Sequence, residues 1–311
     1  MKDIAGRTAF ITGGASGMGL GMAHAFGSAG MNVMLADMRE DRLAEAKEAL
    51  TRKNVHVDTL RVDVSDRAAM AHAARETVAR FGKVHVAVAN AGVGIIGRVR
   101  DASYDDWDWS NGVNLGGVVN TIQSFLPIIR AQGEGGHIIA NASMAGLTPV
   151  AHGGVYSVQK SAVVAIMESL YAELREEGIG ASVVCPGMTR TNIGETLKLR
   201  PERYGDHGIK VSLPGGPPPG AAPDGPPPMN PMDFAMDPME VGERTLRGML
   251  ADDLYILTHN EFADEIAAQF QPILDAMPPA QPMPPPPPGA PDPAAVMFPV
   301  YRAVLAAKGK L

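Results

Sequence analysis

Six short apolar runs, each set off from the next by a helical stretch, constrain the fold of this chain more than any other feature. They fall at residues 8–12, 32–36, 56–62, 84–89, 137–140 and 181–184. None alternates strictly between apolar and polar positions, which is the pattern of strands buried on both faces of a sheet. Between them, residues 41–51 place Leu43, Ala46 and Leu50 at helical spacing, and residues 66–81 form a second helix with Ser65 as its expected N-cap. Strands alternating with helices require a parallel sheet wrapped on both faces, the doubly wound α/β class.

Past Thr191 this rhythm breaks, and the composition shows where. Of 26 prolines, 22 lie at or after Pro214, and residues 213–238 alone hold ten, so that stretch is neither helix nor central strand. Helical pattern returns over 239–251, a last strand is expected at 254–257, and a helix over 261–277 carries Phe262, Ile266, Phe270, Ile273 and Leu274 on one side. A second proline tract covers 278–293, followed by a short terminal helix at 294–307. The expected organisation is one domain over 1–277, with an insertion at about 190–238, and a proline-rich tail over 278–311.

Charge and cysteine content remove several classes of function. The net charge is −7 over 311 residues with no basic cluster, so nucleic-acid binding is not expected. The single cysteine, Cys185, cannot form an internal disulfide, and no Cys/His grouping has metal-ligand spacing. No uninterrupted apolar run approaches a membrane span, and residues 1–7 lead directly into the first strand without a signal peptide, so a cytoplasmic protein is expected.

The turn after the first strand reads Thr12-Gly13-Gly14-Ala15-Ser16-Gly17-Met18-Gly19. A glycine triplet is weak by itself. This one follows a strand and opens a helix in a βαβ unit, where glycines let the backbone approach a pyrophosphate at a helix N-terminus. The second strand ends at Asp37, 18 residues after Gly19. A carboxylate there accepts hydrogen bonds from both ribose hydroxyls of NAD and repels the extra phosphate of NADP, whereas the nearby Arg39 favours that phosphate. NAD is expected over NADP. The alternative is a plain turn, with Asp37 capping the next helix.

Four motifs in order resemble the short-chain dehydrogenase/reductase family: Thr12-Gly13-x-x-x-Gly17-x-Gly19, Asn90-Ala91-Gly92 after the fourth strand, Ser143 followed 13 residues later by Tyr156-x-x-x-Lys160, and Pro186-Gly187 after the sixth strand. The resemblance covers roughly residues 1–200. It implies a Rossmann sheet of seven strands in the order 3-2-1-4-5-6-7, a homodimer or homotetramer, and an enzyme interconverting a secondary alcohol and a ketone. It further implies catalytic roles for Asn114, Ser143, Tyr156 and Lys160, with Asn114 anchoring a water that links Lys160 to solvent. Cofactor contacts are implied at Gly13, Ser16, Gly17, Met18, Gly19, Asp37, Met38, Asp63, Val64, Asn90, Ala91, Gly92, Tyr156, Lys160, Pro186, Gly187 and Thr189. No metal is implied.

The residue chemistry points the same way. Tyr156 and Lys160 stand four apart and share a helix face. A phenol is a poor base near neutrality, with an ordinary pKa of about 10, and an adjacent ammonium and a positive nicotinamide are expected to lower it. Tyr156 then takes the alcohol proton as hydride leaves, while the Ser143 hydroxyl holds the substrate oxygen. Each residue also has a plainer role: a surface Tyr–Lys pair, a capping serine, an asparagine relieving a kink beside Gly112 and Gly116. Cys185 reads as a small buried apolar residue, and Trp107 and Trp109 as core or interface.

Substrate choice is expected to reside in residues 145–147, 150–155 and the insertion, a lid containing Met229, Met232 and Met236, with Met239 just beyond it. A narrower resemblance involves Asp106-Trp107-Asp108-Trp109, Arg200-Pro201-x-x-Tyr204-Gly205 and the extended C-terminus. These are similar to the Cα-dehydrogenases of lignin-derived β-aryl ethers, which implies a bulky benzylic alcohol and NAD. A terpene alcohol or hydroxysteroid is the alternative substrate. A non-catalytic dinucleotide-binding sensor or scaffold is the alternative class.

Overall fold

The computed structural model describes residues 3–150, 153–205, 234–279 and 287–290, together with residues 300, 302, 304 and 306. Met229, Met232, most of both proline tracts and most of the expected terminal helix lie outside the described residues. Within them, seven strands form one parallel sheet: β1 (Thr8–Thr12), β2 (Asn32–Asp37), β3 (Val57–Arg61), β4 (Val86–Ala89), β5 (Gly136–Asn141), β6 (Ile179–Cys185) and β7 (Tyr255–Leu257). Their order is β3-β2-β1-β4-β5-β6-β7. The chain turns back at β1, so β1 and β4 are neighbours whose connections leave in opposite directions. This opens a crevice at their carboxyl ends.

Helices α1 (Gly17–Ser28), α2 (Glu40–Thr51) and α7 (Pro238–Ala251) cover one face, and α3 (Arg67–Phe81), α5 (Gly117–Gln132) and α6 (Gly154–Leu174) cover the other. Side-chain alternation divides each strand between the two layers. On β1, Phe10 enters one core, where its ring stacks on Phe125 at 4.1 Å, while Ala9 and Ile11 enter the other. Complete burial of each such large apolar side chain contributes about 2 kcal/mol. The remaining helices are α4 (Tyr104–Asn111) and α8 (Ala263–Asp275).

Three local expectations are corrected. The cap of α3 is Asp66, whose Oδ1 accepts from the N–H groups of Ala68 and Ala69 at 2.8 and 3.0 Å. Ser65 instead donates its hydroxyl to Asp63 at 2.7 Å. Helix α7 starts one residue early, because Asp237 caps it and Pro238, which has no N–H to leave unpaired, fits the first turn. In α8 the apolar side is not buried along its length. Phe262 and Ile266 reach the core, whereas Phe270, Ile273 and Leu274 are exposed beyond the end of the sheet. The run from Tyr104 to Gln132 is apolar and long enough to cross a membrane by composition. Here it flanks the sheet, with Phe125 and Ile129 fully buried.

Helices α1 and α7 approach backbone to backbone. A Cβ on Gly21 would lie 2.1 Å from the Pro238 carbonyl oxygen, and one on Gly242 would lie 2.2 Å from Gly21. Because neither helix has a flexible side chain there to yield, Gly242→Ala is expected to destabilise the fold by about 1–3 kcal/mol. A urea melt checks this; an unchanged midpoint would show that the helices separate freely.

Candidate active site

The glycine turn builds the floor of the crevice. Gly13 and Gly17 adopt φ of +60° and +52°, a region that L side chains rarely enter. A Cβ on Gly19 would stand 2.1 Å from the Gly13 carbonyl oxygen, so the turn can close this tightly only with glycine. Helix α1 then opens with Ser16 extended and making no side-chain cap, and with no acidic residue in the first turn. Uncapped N–H groups at the head of a helix suit an anion. A dinucleotide pyrophosphate therefore fits the residues present.

Thirteen of the expected site residues line one cleft of about 220 Å³. They are the turn residues Gly13, Ser16, Gly17 and Met18, the strand-end residues Asp37, Met38, Asp63, Val64, Asn90, Ala91 and Gly92, and the helix residues Tyr156 and Lys160. Asp37 accepts from Ala15 N–H at 3.3 Å and from Arg39 N–H at 3.1 Å, and burial raises its carboxyl pKa despite these bonds. The Arg39 guanidinium is engaged by Asp41 at 2.8 Å. Asn90 spends its side chain inward, donating to the Thr12 and Gly13 carbonyls at 2.9 and 3.2 Å and accepting from Asn141 at 2.9 Å. It braces the cleft rather than reaching into it.

The other six sit beside or behind the cleft. Gly19 lies beneath the turn. Ser143 accepts from Ala145 N–H at 3.1 Å, so it does cap a turn, and it also hydrogen-bonds Tyr156. Pro186 accepts from Met144 N–H at 2.9 Å, which brings its loop against Ser143. Gly187 donates to His259 Nδ1 at 3.0 Å, and Thr189 donates to the Gly187 carbonyl at 3.3 Å. Asn114 is fully buried in a single π turn, Gly112–Gly116, between α4 and α5. Its side chain pairs with both backbone groups of Val93 and donates to Gln159 at 2.7 Å. Such bulges recur at functional sites because they displace one carbonyl from the helical ladder.

Lys160 is 3% exposed and donates to the Asn141 carbonyl at 2.7 Å, with its ammonium 5.5 Å from the centre of the Tyr156 ring. Burial holds its pKa down at about 8. The Tyr156 phenol is not lowered, as the pairing led one to expect. Burial pushes it up to about 12, against the opposing pull of the Ser143 hydrogen bond. Cys185 is also buried, and its thiol is pushed up to about 12, which matches an apolar packing role.

The sequence profile of the short chain dehydrogenase family matches residues 7–201. The chain belongs to this family. It is 34% identical over 288 residues to a C alpha-dehydrogenase of Sphingobium sp. strain NBRC 103272 / SYK-6, covering 90% of each. It is 35% identical over 202 residues to 3beta-hydroxysteroid dehydrogenase 2 of Eggerthella lenta, covering 64% of this chain and 77% of that one. Among solved structures, a short chain dehydrogenase/reductase from Burkholderia phymatum in complex with NAD superposes with a TM-score of 0.78 at 31% identity, covering 91% of this chain and all of the other.

Several lining residues lie outside the catalytic and cofactor motifs. Ile193, Glu195, Thr196, Lys198 and Leu199 roof the cleft, and Trp109 and Val113 close its side. The Gly94 N–H donates to the Thr196 hydroxyl at 3.1 Å, pinning roof to floor. His259, from the loop after β7, holds the Gly187 N–H and was equally silent in the sequence.

The lowered Lys160 pKa has a consequence for stability. Between about 8 and its ordinary value, the folded chain binds fewer protons here than the unfolded chain, so stability rises with pH through that window. Lys160→Met removes this rise. The wild type should therefore gain about 2 kcal/mol on the variant between roughly pH 7 and pH 10. Urea melts at both pH values test it, and a constant difference would contradict the assignment.

Proposed function

We propose that the chain is an NAD-dependent dehydrogenase that interconverts a bulky secondary alcohol and its ketone. The observation that carries this reading is that Tyr156 and Lys160 line the same cleft as a glycine cradle and Asp37, with Ser143 against Tyr156 beside it. The nicotinamide, when bound, supplies the hydride acceptor. Tyr156 takes the hydroxyl proton as the alcohol is oxidised, or returns it in reduction. Ser143 donates to the substrate oxygen and steadies the charge that builds there. Lys160, seated on the Asn141 carbonyl, lends positive charge to the phenol and hydrogen bonds to a ribose.

Two observations support NAD over NADP. The Asp37 carboxylate lines the cleft near the glycine turn, and the Arg39 guanidinium is already paired with Asp41. The same pocket wall favours an apolar substrate, since Trp109 and Val113 line it. Similarity to the C alpha-dehydrogenase over most of both chains supports a benzylic alcohol, and the hydroxysteroid relative supports a steroid as the second class. A homodimer or homotetramer is part of the reading.

Tyr156→Phe is expected to lower turnover by at least about a hundredfold while NADH still binds. Normal turnover would exclude the acid/base role, and a wild type that binds NADH yet oxidises no aryl, terpene or steroid alcohol would favour the sensor. Asp37→Ala should shift the NAD/NADP ratio of kcat/KM toward NADP. Parallel assays with both cofactors read the ratio, and no change would remove Asp37 from the ribose site.

A further inference from the structure

Asp106 and Arg200 stand 94 residues apart in the chain and meet in space. The Arg200 guanidinium donates from Nη1 to Asp106 Oδ1 at 2.6 Å, and the two side chains are 6% and 0% exposed. Among the described residues this is the one ion pair with both side chains so deeply buried. Taking such a pair from water is costly unless the remaining donors are matched. They are matched: Nε donates to the Gly205 carbonyl at 3.0 Å and Nη2 to the Tyr204 carbonyl at 2.7 Å. The guanidinium also lies 5.3 Å from the centre of the Trp109 ring. Asp106 Oδ2 accepts from Ser103 N–H at 2.9 Å. Burial alone would raise the Asp106 carboxyl, but the Ser103 N–H and Arg200 hold it below its ordinary value.

The placement gives the pair more than a packing role. Arg200 ends the stretch 191–199 that roofs the cleft, and Trp109 under its guanidinium is part of the cleft wall. On the other side, the Asp106 carbonyl accepts from the Ser110 hydroxyl at 2.6 Å, and Ser110 accepts from Gln159 Nε2 at 2.7 Å. Gln159 in turn accepts from Asn114. The roof is thus tied by continuous hydrogen bonds to the two helices that carry Asn114 and Lys160. The roof's other attachments carry no charge: Thr191 against Gly17, Ile193 against Gly94, Leu197 on the cluster of Val93, Ile95, Trp109 and Val155, and the single Thr196 bond.

We propose that Arg200 is a positioning residue that fastens the roof to α4 and so sets how long a dinucleotide stays in the cleft. This rests on the proposed NAD-binding function. A planar fork is required, because a lysine offers one point charge and cannot reach an oxygen of Asp106 and the carbonyls of Tyr204 and Gly205 together.

NADH release from the full-length protein, followed by stopped-flow fluorescence, tests the assignment at a temperature where every variant is folded by circular dichroism. Arg200→Met should release NADH about tenfold faster, and Arg200→Lys should fall between it and the wild type. The KM for NAD should rise with kcat undiminished. If Arg200→Met does not fold, the double variant Asp106→Leu/Arg200→Met, which leaves no unpaired buried charge, replaces it with the same expectation. Tryptic cleavage after Lys198 and Arg203 should accelerate in parallel. Release and cleavage rates equal to the wild type, even with a lower melting temperature, would reduce the pair to a fold element and overturn the proposal. If the wild type binds no dinucleotide, the proposed function fails, and unchanged cleavage would then separately overturn the fastening.

Discussion

The site depends on an ammonium kept almost out of water. Among the described residues the Lys160 Nζ donates to the Asn141 carbonyl at the end of β5, and that bond fixes where its charge can act. Burial makes the charge expensive, which lowers the Lys160 pKa to about 8, and the same dry surroundings raise the Tyr156 phenol to about 12. In the protein alone, the two groups are therefore closer to neutral than their ordinary values imply. Any charge brought into this low-dielectric end of the cleft acts on both strongly. A positive ring arriving beside the phenol would favour phenolate there far more than it could in water.

The fold sets Tyr156 and Lys160 in the same cleft as the glycine turn. Reversal of strand order at β1 opens the crevice between β1 and β4, with the glycine turn on one lip and Asn90 on the other. The Asn90 and Asn141 side chains join three strand ends by hydrogen bonds, so the floor of the cleft and the seat of Lys160 share a single rigid edge. The roof is held differently, by the buried Asp106–Arg200 pair. It is also joined to the floor by the Gly94–Thr196 bond and by Ile193 against Gly94.

Sequence and structure agree most closely where chemistry is local. A glycine turn, a Tyr-x-x-x-Lys pair and runs of β-branched residues announce themselves within a few positions. The sheet order and the gathering of thirteen expected residues on one cleft follow from those local patterns and the family resemblance. What the sequence concealed was long-range. Asp106 and Arg200 stand in two separate sequence motifs, and that they pair is invisible until the roof is folded over α4. Likewise, nothing near His259 hints that it holds Gly187, and the glycines around Asn114 suggest a kink without showing that it is a π turn. The burial that raises the Tyr156 phenol is equally hidden, because desolvation depends on everything packed around it, while the neighbouring lysine is visible at four residues' distance. Ser65 and Asp66 are both good cap acceptors, and only the competing bond to Asp63 decides between them.

The central claim is that Tyr156 is a phenol in the empty protein and becomes the working base when the dinucleotide binds. Titration of ring-labelled tyrosine by NMR, with and without NAD, measures this directly, using Tyr156→Phe to assign the signal. The account predicts that without NAD the Tyr156 signal titrates near about 12, and that with NAD phenolate forms well below the ordinary tyrosine value of about 10. A Tyr156 signal that titrates at the same pH in both states would contradict it.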